Sequence, residues 1–191
     1  MQKKCISYSF AWTNDLDRLD WSFEKAIYDY QCKVFVFDPL LTQTRHMDYL
    51  TKFAAYQIGL IPGDMFADAS VKMTLMGIYS DLKQNVHGFI PIDYLKIDIG
   101  FGWIDVIPNI IQTVMWRYVR QMGIQIHLNS SESLNQFRYY AKVVKSIDDT
   151  GMVRFSSKAV PTSYTYFDQI NMKAHSVYEL AWYNPLCYSV N

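Results

Sequence analysis

Short runs of β-branched and aromatic residues alternate along this chain with stretches whose apolar residues recur every three or four positions. That alternation predicts an α/β fold with a mostly parallel sheet, because parallel neighbours need a crossover and a helix supplies it. The first run covers residues 5–10. After a polar loop over residues 13–20, Phe23, Ala26, Ile27 and Tyr30 recur at helical spacing, with Asp20 placed to cap and Glu24 in the positively polarised first turn. Residues 33–37 form a continuous apolar run that ends at Asp38 and Pro39, which suits an interior parallel strand.

A third strand is predicted over residues 54–58, closed by Gly59, and a turn at Pro62 and Gly63 leads to a helix over 74–84. Residues 94–97 give a fourth strand ending at Asp98. A helix then spans 103–118, with Pro108 either in its first turn or kinking it, because proline lacks the backbone donor of an interior position. Residues 124–128 make strand five. Leu134, Phe137, Ala141 and Val144 mark an amphipathic helix whose other side carries Arg138, Lys142 and Lys145 as a solvated face. Residues 152–155 and 178–182 close the chain as two strands with no helix between them, permitting an antiparallel pair at one edge. The 157–176 connection carries Tyr164, Tyr166 and Phe167, and a loop that long inside a compact domain is functional or disordered.

At 191 residues the chain makes one domain, 1–191, against roughly 100–200 residues per domain. Hydrophobic residues are 50% and charged residues 19%, too apolar for a disordered segment. With 18 basic and 18 acidic residues and no basic block, the electrostatic footprint of a nucleic-acid binder is missing. No run approaches the length needed to cross a bilayer, and the short apolar patch behind Lys3 and Lys4 reads as a strand rather than a signal peptide. Cytosolic residence is the default expectation, and the secretory pathway fits if the sequence lacks its front end. Cys5, Cys32 and Cys187 make neither a zinc site nor a disulfide framework, and their odd number allows one bridge plus a free thiol or three thiols.

In an open α/β sheet, ligands bind outside the carboxyl ends of the strands where the strand order reverses. The residues there are Ser9, Phe10 and Ala11, then Asp38, Asp98 and His127. A carboxylate ending the second strand is placed to accept hydrogen bonds from a nucleotide ribose, or simply to start the turn before Pro39. Gly100, Phe101 and Gly102 imitate a dinucleotide fingerprint, but Asp105 stands where its third glycine belongs. Asp98 reads as a helix-capping turn residue or a functional group at the cleft. His127 is either a base near the cleft or a hydrogen-bonded strand-end histidine. No Ser/His/Asp order or nucleophile elbow is present.

The strings Ser7-Tyr8-Ser9-Phe10, Asp20-Trp21-Ser22-Phe23-Glu24, Cys32-Lys33-Val34-Phe35-Val36-Phe37-Asp38-Pro39 and Ile92-Asp93-Tyr94-Leu95-Lys96-Ile97-Asp98-Ile99 carry a resemblance. Together with residues 103–110, Gly151-Met152-Val153-Arg154-Phe155 and Glu179-Leu180-Ala181-Trp182-Tyr183-Asn184, they look like the methyltransferase domain of the animal methyltransferase-like 24 type, related to FkbM methyltransferases. The similarity runs nearly end to end.

This resemblance implies a doubly wound, Rossmann-like class I methyltransferase sheet of about seven strands, the last one antiparallel. It implies S-adenosylmethionine as cofactor, with Ser9, Phe10 and Ala11 under the methionine part, Asp38 on the ribose, Gly59 beside the adenine and Asp98 at the cleft floor. Asp98 and His127 are then the candidate catalytic residues, acting on a small-molecule acceptor such as a sugar hydroxyl, with no metal. The sequence departs from the family's pattern at Ala11, Gly100 and Gln125, where a glycine and two glutamates are usual. Losing two carboxylates weakens attraction for a cation, so a protein that keeps the fold without catalysis is the alternative, and a dehydrogenase a distant third.

Overall fold

The computed structural model describes residues 5–11, 21–40, 53–62 and 72–188. Its centre is a seven-stranded sheet in the order β3-β2-β1-β6-β7-β11-β8. These strands are β1 (Ile6–Ala11), β2 (Lys33–Phe37), β3 (Ala54–Tyr56), β6 (Ile92–Asp98), β7 (Val119–His127), β8 (Val153–Ala159) and β11 (Val177–Tyr183). Pairing is parallel from β3 through β7, and β11 runs antiparallel to both β7 and β8. The reversed strand therefore inserts between β7 and β8, and β8 becomes the edge. Two small ladders stand apart: β4 (Gly59–Leu60) with β5 (Lys72–Met73), and the hairpin of β9 (Tyr164–Phe167) with β10 (Met172–His175).

Side chains of a strand alternate between faces, so the sheet has two distinct sides. One side carries Tyr8, Phe10, Phe35, Leu95, Ile97, Met122, Ile124 and Trp182, all buried in one continuous core. Three helices complete that core: α2 (Leu75–Leu82), α3 (Trp103–Gln112) and α4 (Leu134–Asp148). Thr74 caps α2 by accepting from Gly77 N–H, and Ser133 caps α4 by accepting from Gln136 N–H. The other side carries Val34 and Val36 with Phe53, covered by Trp21 and Ile27 around the start of α1 (Ser22–Asp29).

Several elements differ from the sequence reading. The helix expected to 118 stops at Gln112, because Val114 takes a left-handed conformation at φ 53° and a 3₁₀ turn follows over Met115–Tyr118. Pro108 sits inside α3, beyond its first turn. Strand five starts at Val119, five residues before the apolar core of the run. The helix predicted over 74–84 continues past Leu82 as a π turn, Lys83–His87. Gly59 opens β4 rather than closing β3, and the long 157–176 connection contains a hairpin. The expected cap at Asp20 and turn at Gly63 lie outside the described residues.

Cys5 and Cys32 are disulfide-bonded, with Cα atoms 4.5 Å apart, and Cys187 is a buried free thiol. The bridge joins the starts of two parallel neighbours, where Lys33 N–H already donates to Cys5 O at 2.9 Å. No helix among the described residues is long and apolar enough to cross a membrane.

Candidate functional site

From β1 the chain builds outward to β2 and β3, then returns to the other side of β1 for β6 and β7. The order reverses between β1 and β6, the place in an open α/β sheet where ligands bind. Ala11 and Asp98 face each other across that point in the strand register.

Asp98 and His127 come together there. Asp98 Oδ1 lies 3.7 Å from His127 Nε2, and their side chains are 31% and 26% exposed, so both are open to a ligand. The imidazole is also held from behind. Nε2 lies 2.8 Å from Gln125 Oε1, and with Nε2–H donated to that amide oxygen, Nδ1 is left as the ring's proton acceptor. Trp103 Nε1 donates to the His127 carbonyl at 3.1 Å, fixing the strand end. Phe101 projects beside the pair, 54% exposed, with its ring edge-on to His127 at 6.0 Å. The turn that presents it begins at Gly100, which is at φ +57°.

The other predicted residues are inside the protein. Ser9 is buried, and its hydroxyl donates to Glu24 Oε1 at 2.5 Å. Phe10 points into the core and stacks on Phe37 at 4.6 Å, so only its backbone can face the site. Asp38 is 0% exposed. Its Oδ1 accepts from Leu40 N–H at 2.8 Å, an Asx turn of the kind an aspartate before proline forms. Gly59 is buried in the small ladder with β5, and β4 lies against β1.

Three further features were not assigned from the sequence. Glu24, at 2% exposure, accepts from Lys96 Nζ at 2.9 Å as well as from Ser9, both on Oε1. Among the described residues, its Oε2 has no hydrogen-bond partner, and neither does the buried Ser7 hydroxyl two residues before Ser9. An orphaned buried acceptor costs about 1–3 kcal/mol, so it calls for a donor.

The second group is a groove of about 550 Å³ on the face that carries α1. Gly123 and Ala181, opposite in register, lie along it, with the Tyr94 hydroxyl standing over Gly123. Tyr94 and Phe23, 4.9 Å apart, wall one side, and Phe155 lines the far end. Lys96, Asp98, Gln125 and Glu179 bring polar atoms to it.

The signal for this wet face was present in the sequence. Residues 119–127 place Met122, Ile124 and Ile126 at alternate positions with Gln121, Gln125 and His127 between them, which is the pattern of a strand with one solvated face. The third group is an apolar cavity of about 670 Å³ on the opposite side, between α4 and the β7–β11 pair, lined by Leu128, Phe137, Val144 and Tyr178. It does not reach Asp98 or His127. Among the described residues, no group of three or more His, Cys, Asp or Glu is placed to hold a metal ion. Comparison with protein-family models, curated proteins and solved structures finds no match to the chain.

Proposed function

We propose that this protein is an S-adenosylmethionine-dependent methyltransferase of the class I, FkbM-related kind, acting on a small oxygen acceptor such as a sugar hydroxyl. The observation that carries the reading is the order reversal between β1 and β6 with the Asp98–His127 pair open at its mouth. The reversed strand inserted before the edge is a second support, since the resemblance to a methyltransferase domain implies an antiparallel last strand. Helices on both faces of the sheet suit a doubly wound fold.

The cofactor, when bound, supplies an electrophilic methyl group on a sulfonium, so the protein needs to align a nucleophile and exclude water. His127 takes the acceptor's hydroxyl proton at Nδ1, because Gln125 occupies Nε2. Asp98 stabilises the imidazolium that results, from 3.7 Å. The exposed ring of Phe101 stands edge-on beside His127 and offers an apolar edge to an acceptor. The Cys5–Cys32 bridge favours an oxidising compartment over the cytosol, since such bridges persist there.

A second reading, a binding protein that keeps the fold without catalysis, is favoured by Asp38. Its carboxylate is closed off from solvent and engaged by Leu40, where ribose binding asks for an open one. Calorimetric titration with S-adenosylmethionine separates the two. Saturable binding, retained without turnover in Asp98→Asn, is the result expected of the enzyme. No heat at millimolar cofactor establishes the second reading instead.

A further inference from the structure

The apolar stripe that the sequence marks along α4 is not the one that the helix buries. Tyr140, Val143 and Ile147 enter the core, where Tyr140 meets Trp103 of α3 at 5.5 Å. Leu134, Phe137, Ala141 and Val144 form the neighbouring stripe, and they line two cavities instead. The larger, of about 670 Å³, runs between α4 and the strands β7, β11 and β8, with Arg154 at its β8 side. The smaller, of about 220 Å³, continues beside the β9–β10 hairpin, whose Phe167 packs on Phe137 at 5.6 Å. Both share Leu128, Phe137 and Tyr178 as walls. Together they make one apolar trench lined by α4 from Leu134 to Asp148, roughly 21 Å at a rise of about 1.5 Å per residue.

Small-molecule sites of this size are mostly apolar with a few convergent polar groups. Here the charged groups gather at one end. Asp148 accepts from Trp182 Nε1 at 2.7 Å, and Lys145 is tied to Asp149. Arg154 is the least committed of the four. Its Nη2 reaches Asp148 Oδ2 at 3.5 Å, a long contact, and among the described residues its guanidinium makes no hydrogen bond. A guanidinium carries five N–H donors in a fixed fork whose shape matches a carboxylate. With its side chain 42% exposed, Arg154 meets a head group at the solvent edge, where no charge has to be buried. A hydrocarbon chain ending in a carboxylate has the complementary shape: a charged end for Arg154 and a long apolar body for the trench.

We infer that the trench between α4 and β11 binds a long-chain fatty acid, with the carboxylate on Arg154 and the chain running past Val144, Ala141 and Phe137 toward the hairpin. The site lies on the opposite side of the sheet from the groove, does not reach Asp98 or His127, and stands independently of the methyltransferase reading.

The test is a fluorescence titration with cis-parinaric acid, a fatty acid whose emission rises when its chain leaves water. The wild-type protein should take up one equivalent saturably, and palmitate should displace it. Arg154→Met, which keeps an apolar stem, should weaken binding roughly tenfold. Ala141→Trp, which fills the trench from the exposed side of α4, should abolish it. Should Ala141→Trp lose its fold by circular dichroism, Arg154→Met carries the test alone. No saturable uptake by the wild-type protein overturns the inference. Uptake unchanged in Ala141→Trp does so too, since the chain then lies elsewhere, and an unchanged affinity in Arg154→Met overturns the assignment of the head group. Light scattering covers the remaining occupant: a wild-type dimer that Ala141→Trp turns into a monomer would show that a second copy fills the trench, and the inference falls.

Discussion

The two faces of the sheet do different work with the same strands. Toward α2, α3 and α4 the strands present a mostly apolar surface, and Trp182, Trp103, Phe35 and Ile97 are almost wholly buried there. Toward α1 they present Ser7, Ser9, Tyr94, Lys96, Gln121 and Gln125, with an apolar cluster of only a few residues around Val34 and Val36. Because the side-chain period of a strand is two, one residue faces the apolar core and the next faces the polar groove. A strand in this protein is therefore under two independent demands, and mutations on its two faces should fail in different ways.

Trp182→Ala should produce the largest effect. Its ring is fully buried, and its Nε1 donates to Asp148 Oδ1 at 2.7 Å, tying β11 to the end of α4. Truncation leaves both a cavity and a carboxylate without that donor, a loss of about 3–5 kcal/mol. Urea unfolding followed by tryptophan fluorescence and circular dichroism measures it. A loss below about 1 kcal/mol would mean that the apolar face is not what holds the fold together.

Gly123→Ala tests the polar face and should cost less. A methyl group at this position would stand 2.4 Å from the Tyr94 hydroxyl and 3.2 Å from its ring carbon. The ring cannot swing freely because Phe23 packs against it at 4.9 Å. Alanine in place of a strand-interior glycine usually stabilises. Here the overlap should reverse that sign, with a destabilisation of about 1–3 kcal/mol. Adding Tyr94→Phe should recover part of the loss, which a double-mutant cycle reads directly. A stabilised Gly123→Ala would show that the groove has room to spare at Gly123.

The architecture was legible because hydrophobic periodicity reports burial, and burial decides which strands lie inside a parallel sheet. Residues 33–37 are apolar throughout and became an interior strand, while the polar alternation in 119–127 became a strand with one wet face. Asp98 and His127 were legible as strand ends, and the register brings them together. Glu24 was not. From sequence it is an acidic residue in a helix's first turn, and only the packing of α1 across β1 and β6 buries it against Ser9 and Lys96. Gln125 was legible only as a missing carboxylate, whereas its amide holds the His127 ring. Asp38 offered two readings from sequence, turn residue and ribose ligand, because the local motif for both is the same; the structure shows the turn, with the carboxylate buried and bonded to Leu40 N–H.

The apolar face has one polar intrusion, and it gives the smallest expected effect. The Tyr8 hydroxyl, in the middle of β1, donates to His87 Nε2 at 2.6 Å, while His87 Nδ1–H donates to the carbonyl of Gly88. The π turn over Lys83–His87 and the left-handed Gly88, φ 71°, deliver the ring to that point. Burial holds the His87 pKa below its ordinary value of 6.5; the Gly88 hydrogen bond opposes that shift, and nearby Lys33 adds to it. The folded protein thus keeps the imidazole neutral where the unfolded chain takes up a proton. The contribution to stability is complete above pH 6.5 and is lost as the pH falls through the window between 6.5 and the lowered folded value. Urea unfolding at stepped pH should show the wild-type protein weakening through that window, and His87→Gln, which cannot titrate, weakening less. Parallel pH profiles for the two proteins would place the acid sensitivity elsewhere, and the polar face, with its cluster of carboxylates around Lys96, would be the place to look.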